Sequence, residues 1–254
     1  MMTVGSLFSG VGGIEIGFER EGFKTLWFIE NDLYCQAVLR KRFPEAKIYG
    51  DIKEVDFGAI QKPDVLTGGF PCQDISNAGK RAGIEGSRSS LWKYYCEAIR
   101  ILRPKYALIE NVSALAIRGL NVVLEDIAEI GYDAFWTNIS ASAIGAPHQR
   151  ERLFVIAYSY SERFKEQWGK ESVKEKDSRV KFDCEVSHSE SIGCWKQGFL
   201  SRDADDFFKT ESGICGMVDG VPNRVDQIKC LGNAVVPACA QVFAKAIKEF
   251  EGLK

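Results

Sequence analysis

The sequence predicts an α/β fold: a mostly parallel β-sheet with helices on both faces, carrying a small inserted lobe late in the chain. Three observations predict it. Short apolar runs alternate with segments of helical period over the first 158 residues. The first run passes into the first helix through a glycine turn. The alternation then stops, and residues 159–212 are polar and rich in Ser, Lys, Glu and Asp, with scattered aromatics such as Trp168 and Trp195.

Taken in order, residues 4–8 read as a strand, Ser9-Gly10-Val11-Gly12-Gly13 as a tight turn, and Ile14, Ile16, Gly17 and Phe18 as the start of a helix. Residues 25–29 form a second strand. Residues 33–43 have helical spacing that Pro44 stops, and residues 47–49 make a third strand ending at Gly50-Asp51. The pattern continues with a strand at 65–68, a helix at 91–102, a strand at 106–110, a helix at 120–130 and a late strand at 153–158. Strands separated by helices pair in parallel and are covered on both faces. After the polar stretch, Leu231-Gly232-Asn233-Ala234-Val235-Val236-Pro237 opens a last helix, with Val242, Phe243, Ala246, Ile247 and Phe250 on one face. The expected organisation is a domain over residues 1–158, a lobe over 159–212, and a segment over 213–254 that packs back onto the domain.

A chain of 254 residues with 45% hydrophobic content supports one sizeable core, with or without a small lobe. No run of eighteen apolar residues occurs, and the first residues lack the basic start and apolar stretch of a signal peptide. A soluble, cytoplasmic protein is expected, with no membrane partner. The eight cysteines, at 35, 72, 96, 184, 194, 215, 230 and 239, show no CxxC pairing, which fits free thiols in a reducing compartment. Cys184, His188 and Cys194 are irregularly spaced and one ligand short of a zinc site, so no metal is expected. The net charge of −2 conceals a local excess: residues 150–181 carry nine Lys or Arg against six Asp or Glu. Mixed charge of this kind also suits a solvated face, so it does not by itself announce a nucleic-acid groove.

In open parallel sheets, ligands bind beyond the carboxyl ends of the strands, where strand order reverses. The glycine turn follows the first strand, and Glu30 lies about twenty residues on, where nucleotide folds hold a ribose. Asp51 offers a second acceptor, for an adenine amino group. The turn is not a full GxGxxG fingerprint, which argues weakly for a pyrophosphate and leaves room for a phosphate-free cofactor such as S-adenosylmethionine. A turn serving only strand-to-helix packing is the competing account. Phe70-Pro71-Cys72-Gln73 follows the strand at 65–68 and would hold a thiol at the same edge, where a nucleophile is plausible. Glu110-Asn111-Val112 ends the next strand. Arg150 and Arg152, alternating before the strand at 153–158, point to one face under a period of two, whether as a functional pair or as part of a surface ion-pair ladder.

Together these motifs resemble the cytosine-5 DNA methyltransferase family over nearly the whole chain except residues 159–212. They run in family order: Leu7-Phe8-Ser9-Gly10-Val11-Gly12-Gly13, Glu30-Asn31-Asp32, Gly50-Asp51-Ile52, Pro71-Cys72-Gln73, Glu110-Asn111-Val112, Gln149-Arg150-Glu151-Arg152 and Gly232-Asn233-Ala234-Val235-Val236-Pro237. The resemblance implies a Rossmann-like S-adenosylmethionine-dependent methyltransferase fold. It implies that Phe8, Ser9, Gly10, Val11, Gly12, Glu30, Asn31, Asp51, Ile52, Pro71, Leu91, Asn233, Ala234 and Val235 line an S-adenosyl-L-methionine site. It further implies that Cys72 is the nucleophile, Glu110 its acid partner, and Arg152 with Arg150 part of a cytosine pocket. Two departures stand out: Ser6 occupies a position where the family often has Asp, and His148 one where it often has Gln.

The implied substrate is double-stranded DNA, and a base stacked in a duplex is out of reach, so base flipping is expected. The loop from Gln73 to Ser90 is suited to follow the extruded base. Gly79, Gly83 and Gly86 permit movement, and Gln73, Ser76, Lys80, Arg81 and Arg88 are candidate DNA contacts. Residues 159–212 stand in the place of a target-recognition region. A monomer is expected, with any cognate restriction endonuclease of a restriction-modification pair encoded separately. The same core would also serve a transfer RNA cytosine-5 methyltransferase or a catalytically silent DNA-binding relative. A nicotinamide-dependent oxidoreductase is disfavoured by the incomplete glycine fingerprint.

Overall fold

The computed structural model describes residues 1–71, 91–146, 148–159 and 234–253. Seven strands form one sheet: β1 (Thr3–Leu7), β2 (Lys24–Ile29), β3 (Lys47–Tyr49), β4 (Val65–Gly69), β5 (Tyr106–Val112), β6 (Tyr132–Ser140) and β7 (Glu151–Ser159). The helices are α1 (Gly13–Arg20), α2 (Leu33–Arg42), α3 (Leu91–Leu102), α4 (Leu115–Arg118), α5 (Leu120–Glu129) and α6 (Pro237–Phe250). The strand order is β3-β2-β1-β4-β5-β7-β6, parallel through the first five, with β7 antiparallel to both its neighbours.

Two buried faces hold the sheet. On one, Trp92, Tyr95, Ile99 and Leu102 of α3 and Val123 and Ile127 of α5 pack on Leu7, Leu66, Ile109 and Val155. On the other, Phe18 of α1 and Phe243 and Ile247 of α6 pack on Val4, Val65, Leu108 and Phe154. Each fully buried Leu, Ile or Phe in these layers contributes about 1.5–3 kcal/mol relative to exposure. Central strands covered twice are apolar on both faces, which is why their sequences stand out. Asp32 caps α2 by accepting from the backbone N–H groups of Tyr34 and Cys35, and Pro237 sits in the first turn of α6, where no donor is lost.

Strand β6 was not legible as such in the sequence. It is an edge strand in which only Tyr132 is fully buried, so its apolar residues do not alternate cleanly. Its presence lengthens β7, which begins at Glu151 and pairs Glu151 with Ser140 and Arg152 with Ile139. Ser159, the first residue of the expected lobe, is thus still part of the sheet, opposite Tyr132. The buried face of α6 also differs from the expected one: Cys239, Ala240, Phe243, Ala244 and Ile247 are buried, while Val242 and Ala246 are only half-buried. The cause is close approach to α1. A side chain at Gly17 would collide with the backbone of α6 at Pro237 and Gln241, so the small residues of α6 face inward there.

Candidate active site

Strand order reverses between β1 and β4, and a cavity of about 540 Å³ opens beyond their carboxyl ends, within the range usual for small-molecule sites. Its floor is the turn after β1. Phe8 has a positive φ of 52°, rare for a residue with a side chain, and Gly10 follows at 54°. Ser9 anchors the turn: its backbone carbonyl accepts from Gly12 N at 2.9 Å, and its hydroxyl lies 2.8 Å from that of Ser6.

Glu30 is held at the end of β2, with 9% of its surface exposed. Its Oε2 accepts from Gly10 N at 2.7 Å and its Oε1 from Asp32 N at 2.8 Å. Burial raises its pKa, and these two backbone donors oppose the rise. Asp51 uses Oδ1 to cap the short turn Ile52–Glu54, accepting from Lys53 N at 3.0 Å.

At the opposite wall, Glu110 on β5 pairs in register with Gly69 on β4, so its carboxyl lies over the β4 terminus that leads to Phe70 and Pro71. Any side chain at Gly69 would strike that carboxyl. Arg152 stands opposite Val112 on β7, and its Nε lies 3.0 Å from Glu110 Oε1. Burial pushes the Glu110 carboxyl up to about 7, against the pull of Arg152 and Arg150. The group is therefore poised to hold or release a proton near neutrality. Asn111, fully buried, donates through Nδ2 to the Phe70 carbonyl at 3.1 Å and fixes the backbone just before Pro71.

Of the sequence-predicted residues, Phe8, Ser9, Gly10, Val11, Glu30, Asn31, Asp51, Ile52, Pro71, Leu91, Ala234, Val235, Glu110 and Arg152 all line this cavity. Gly12 does not; a side chain there would meet Phe43 and Leu39, so its task is the close packing of turn against α2. Arg150 lies off the wall, although its charge acts on Glu110. Cys72, Gln73, Ser76, Lys80, Arg81, Arg88 and Asn233 fall outside the described residues, as do Cys184, His188, Cys194 and the lobe from residue 160. Among the further wall residues, Glu15 escaped sequence reasoning altogether, and Asn111 was read only as part of the Glu110-Asn111-Val112 motif, with no role of its own. A signal existed for Glu15, a carboxylate in the first turn of α1 between Ile14 and Phe18, which are both buried.

Two described thiols are ill-suited to nucleophilic work. Burial pushes Cys96 up to about 11, and burial together with Glu110 pushes Cys239 up to about 12. Among the described residues, no helix is long and apolar enough to cross a membrane.

Comparison with known proteins adds an independent line. Residues 2–197 match the model of the family described as C-5 cytosine-specific DNA methylase. The type II methyltransferase M.NgoBI of Neisseria gonorrhoeae is 37% identical over 157 residues, covering 60% of this chain and 49% of that protein. The type II methyltransferase M2.BsuMI of Bacillus subtilis is 39% identical over 164 residues, 61% of this chain and 42% of that one. The chain thus spans half or less of the length of these relatives. In fold it is similar to the Entamoeba histolytica methyltransferase EhMeth, with a TM-score of 0.65 and 17% identity over 98% of both chains.

Proposed function

Because the chain belongs to the C-5 cytosine-specific DNA methylase family, we propose that it transfers a methyl group from S-adenosyl-L-methionine to carbon 5 of a flipped-out cytosine in duplex DNA. The observation that carries this reading is the pairing of buried Glu110 with half-buried Arg152, set over the strand end that runs through Phe70 and Pro71 into Cys72. The cavity suits the cofactor. It offers the turn at residues 8–11 for an amino-acid moiety, and the Glu30 and Asp51 carboxylates for a ribose and an adenine amino group. When bound, the cofactor supplies an electrophilic methyl group on a sulfonium.

The chain's own residues do the rest. Cys72, as thiolate, adds to carbon 6 of the cytosine, and the resulting enamine makes carbon 5 nucleophilic. Protonated Glu110 gives a hydrogen bond or proton to ring nitrogen 3, neutralising the charge that this addition creates. Arg152 holds the carboxyl in place and reaches the ring oxygen, and Arg150 adds positive charge. After methyl transfer a base removes the carbon-5 proton and the Cys72–carbon bond breaks. The raised pKa of Glu110 fits this role, since a carboxyl at its ordinary value would have no proton to give at pH 7.

On this reading residues 1–158, with Ser159 closing the last strand, and 213–254 form the catalytic unit, and the lobe that follows Ser159 up to residue 212 recognises the target. Gln73, Ser76, Lys80, Arg81 and Arg88 contact DNA. We propose further a cytoplasmic monomer and a separately encoded cognate restriction endonuclease; the name type II methyltransferase carried by its relatives supports only the restriction-modification setting. The test is incubation with S-adenosylmethionine labelled in its methyl group and either duplex DNA or transfer RNA, followed by digestion to nucleosides. Label in 5-methyldeoxycytidine is expected. Label in RNA alone, or in neither polymer, would overturn the proposal.

A further inference from the structure

Glu15 is the most deeply buried carboxyl group among the described residues, 1% exposed, and the mechanism above gives it no task. It sits in the first turn of α1, immediately after the glycine turn, and it also lines the cavity. Thr67 of β4 donates to its Oε1 at 2.6 Å, tying the first turn of α1 to β4. Its Oε2 has no hydrogen-bond partner. Burying a carboxyl with one oxygen unsatisfied is costly, and an apolar residue would avoid the cost. Glu19, one turn further along α1, and Tyr95 of α3 are the titratable groups that interact with it electrostatically, and neither supplies a positive charge.

What the group accomplishes is visible in its partners. Ser6 donates to Ser9 Oγ at 2.8 Å, and Ser9 in turn reaches the carbonyls of Ser6 and Ile29. Thr67 lies two residues before Gly69, the residue that abuts Glu110. Glu15 therefore ties the first turn of α1 to β4, directly after the glycine turn that Ser6 and Ser9 hold to β1 and β2.

We propose that Glu15 is a positioning residue for the methyl donor: acting through Thr67, it clamps the first turn of α1, and with it the glycine turn, onto β4. The inference rests on the reading of the cavity as the S-adenosylmethionine site. Because the group acts by accepting a hydrogen bond, an amide can stand in for it.

The test is the affinity of the whole protein for S-adenosylmethionine by calorimetry, with steady-state kinetics alongside. Glu15→Leu should raise Kd and the cofactor KM at least tenfold while kcat at saturating cofactor stays within about threefold. Glu15→Gln should stay within about threefold of wild type in Kd. Thr67→Val, which removes the donor and keeps the shape, should weaken binding as Glu15→Leu does. If Glu15→Leu fails to fold, the amide variant and Thr67→Val decide the question. Unchanged affinity in Thr67→Val overturns the inference, as does a tenfold loss in Glu15→Gln or unchanged affinity in Glu15→Leu. Failure of the wild-type protein to bind S-adenosylmethionine would instead overturn the underlying reading of the cavity.

Discussion

Replacing Glu110 by Gln changes the shape of its side chain almost not at all, yet removes the one proton the proposed chemistry needs. The carboxyl is 8% exposed and burial pushes it up to about 7, although Arg152 stands 3.0 Å away. At pH 7 close to half of the wild-type molecules would carry the proton, and at pH 9 about one in a hundred, so the Glu110 contribution to rate falls about fifty-fold across that interval. The sign follows from the direction of the shift: the protonated form is the active one, and it is lost as pH rises through the raised value. Ionisation of Cys72 acts in the opposite sense, but it is common to both proteins and cancels in their ratio. Single-turnover methylation of duplex DNA, measured from pH 6 to 9, therefore isolates the carboxyl. Glu110→Gln should be slower by about 10²–10⁴-fold near pH 6–7, as for loss of a general acid. The ratio of wild type to variant should then shrink about fifty-fold by pH 9. A ratio independent of pH, or a variant within threefold of wild type at pH 7, would refute the assignment of Glu110 as the acid.

Other substitutions test the remaining walls. Glu30→Ala removes two charge-assisted hydrogen bonds, from Gly10 N and Asp32 N, each worth about 1.5–3 kcal/mol; calorimetry should show at least tenfold weaker cofactor binding, and equal affinity would exclude the assigned role. Gly69→Ala drives a methyl group into the Glu110 carboxyl. Since a displacement of about 1 Å can cost 10²-fold in rate, single-turnover methylation should fall by about that factor while cofactor Kd stays within threefold. Gly17→Val presses on the α6 backbone at Pro237 and Gln241. Overpacking of this kind costs about 1–3 kcal/mol, and thermal denaturation should show a Tm lower by roughly 3–10 °C.

How far the sequence could be read depended on burial. Strands β1, β4 and β5 lie in the sheet interior and are apolar on both faces, so their ends, and with them Phe8, Pro71 and Glu110, could be located to within two residues. The edge strand β6 carries half-exposed Trp136 and exposed Phe135, and without that burial pattern its period is lost. For the same reason Arg152, read as preceding the last strand, proves to lie within β7, where the register with Val112 aims it at Glu110. Gly12 and Glu15 show a different limit. A motif names the residues of a turn but not which way each one faces, and only the packing of α2 and β4 against that turn separates the cavity wall from its support. The inward face of α6 was likewise set by a neighbour, Gly17, which no periodicity in α6 itself could reveal.

The account depends most of all on a covalent bond between Cys72 and cytosine. Duplex DNA in which 5-fluorocytosine replaces cytosine lets methyl transfer proceed but leaves no proton to remove at carbon 5, so the adduct cannot resolve. Incubated with S-adenosylmethionine, the wild-type protein should yield a denaturation-resistant complex whose proteolytic digest carries the methylated base on the peptide containing Cys72, and Cys72→Ser should yield none. A cross-link at another residue, or equal methylation of ordinary DNA by Cys72→Ser, would contradict it.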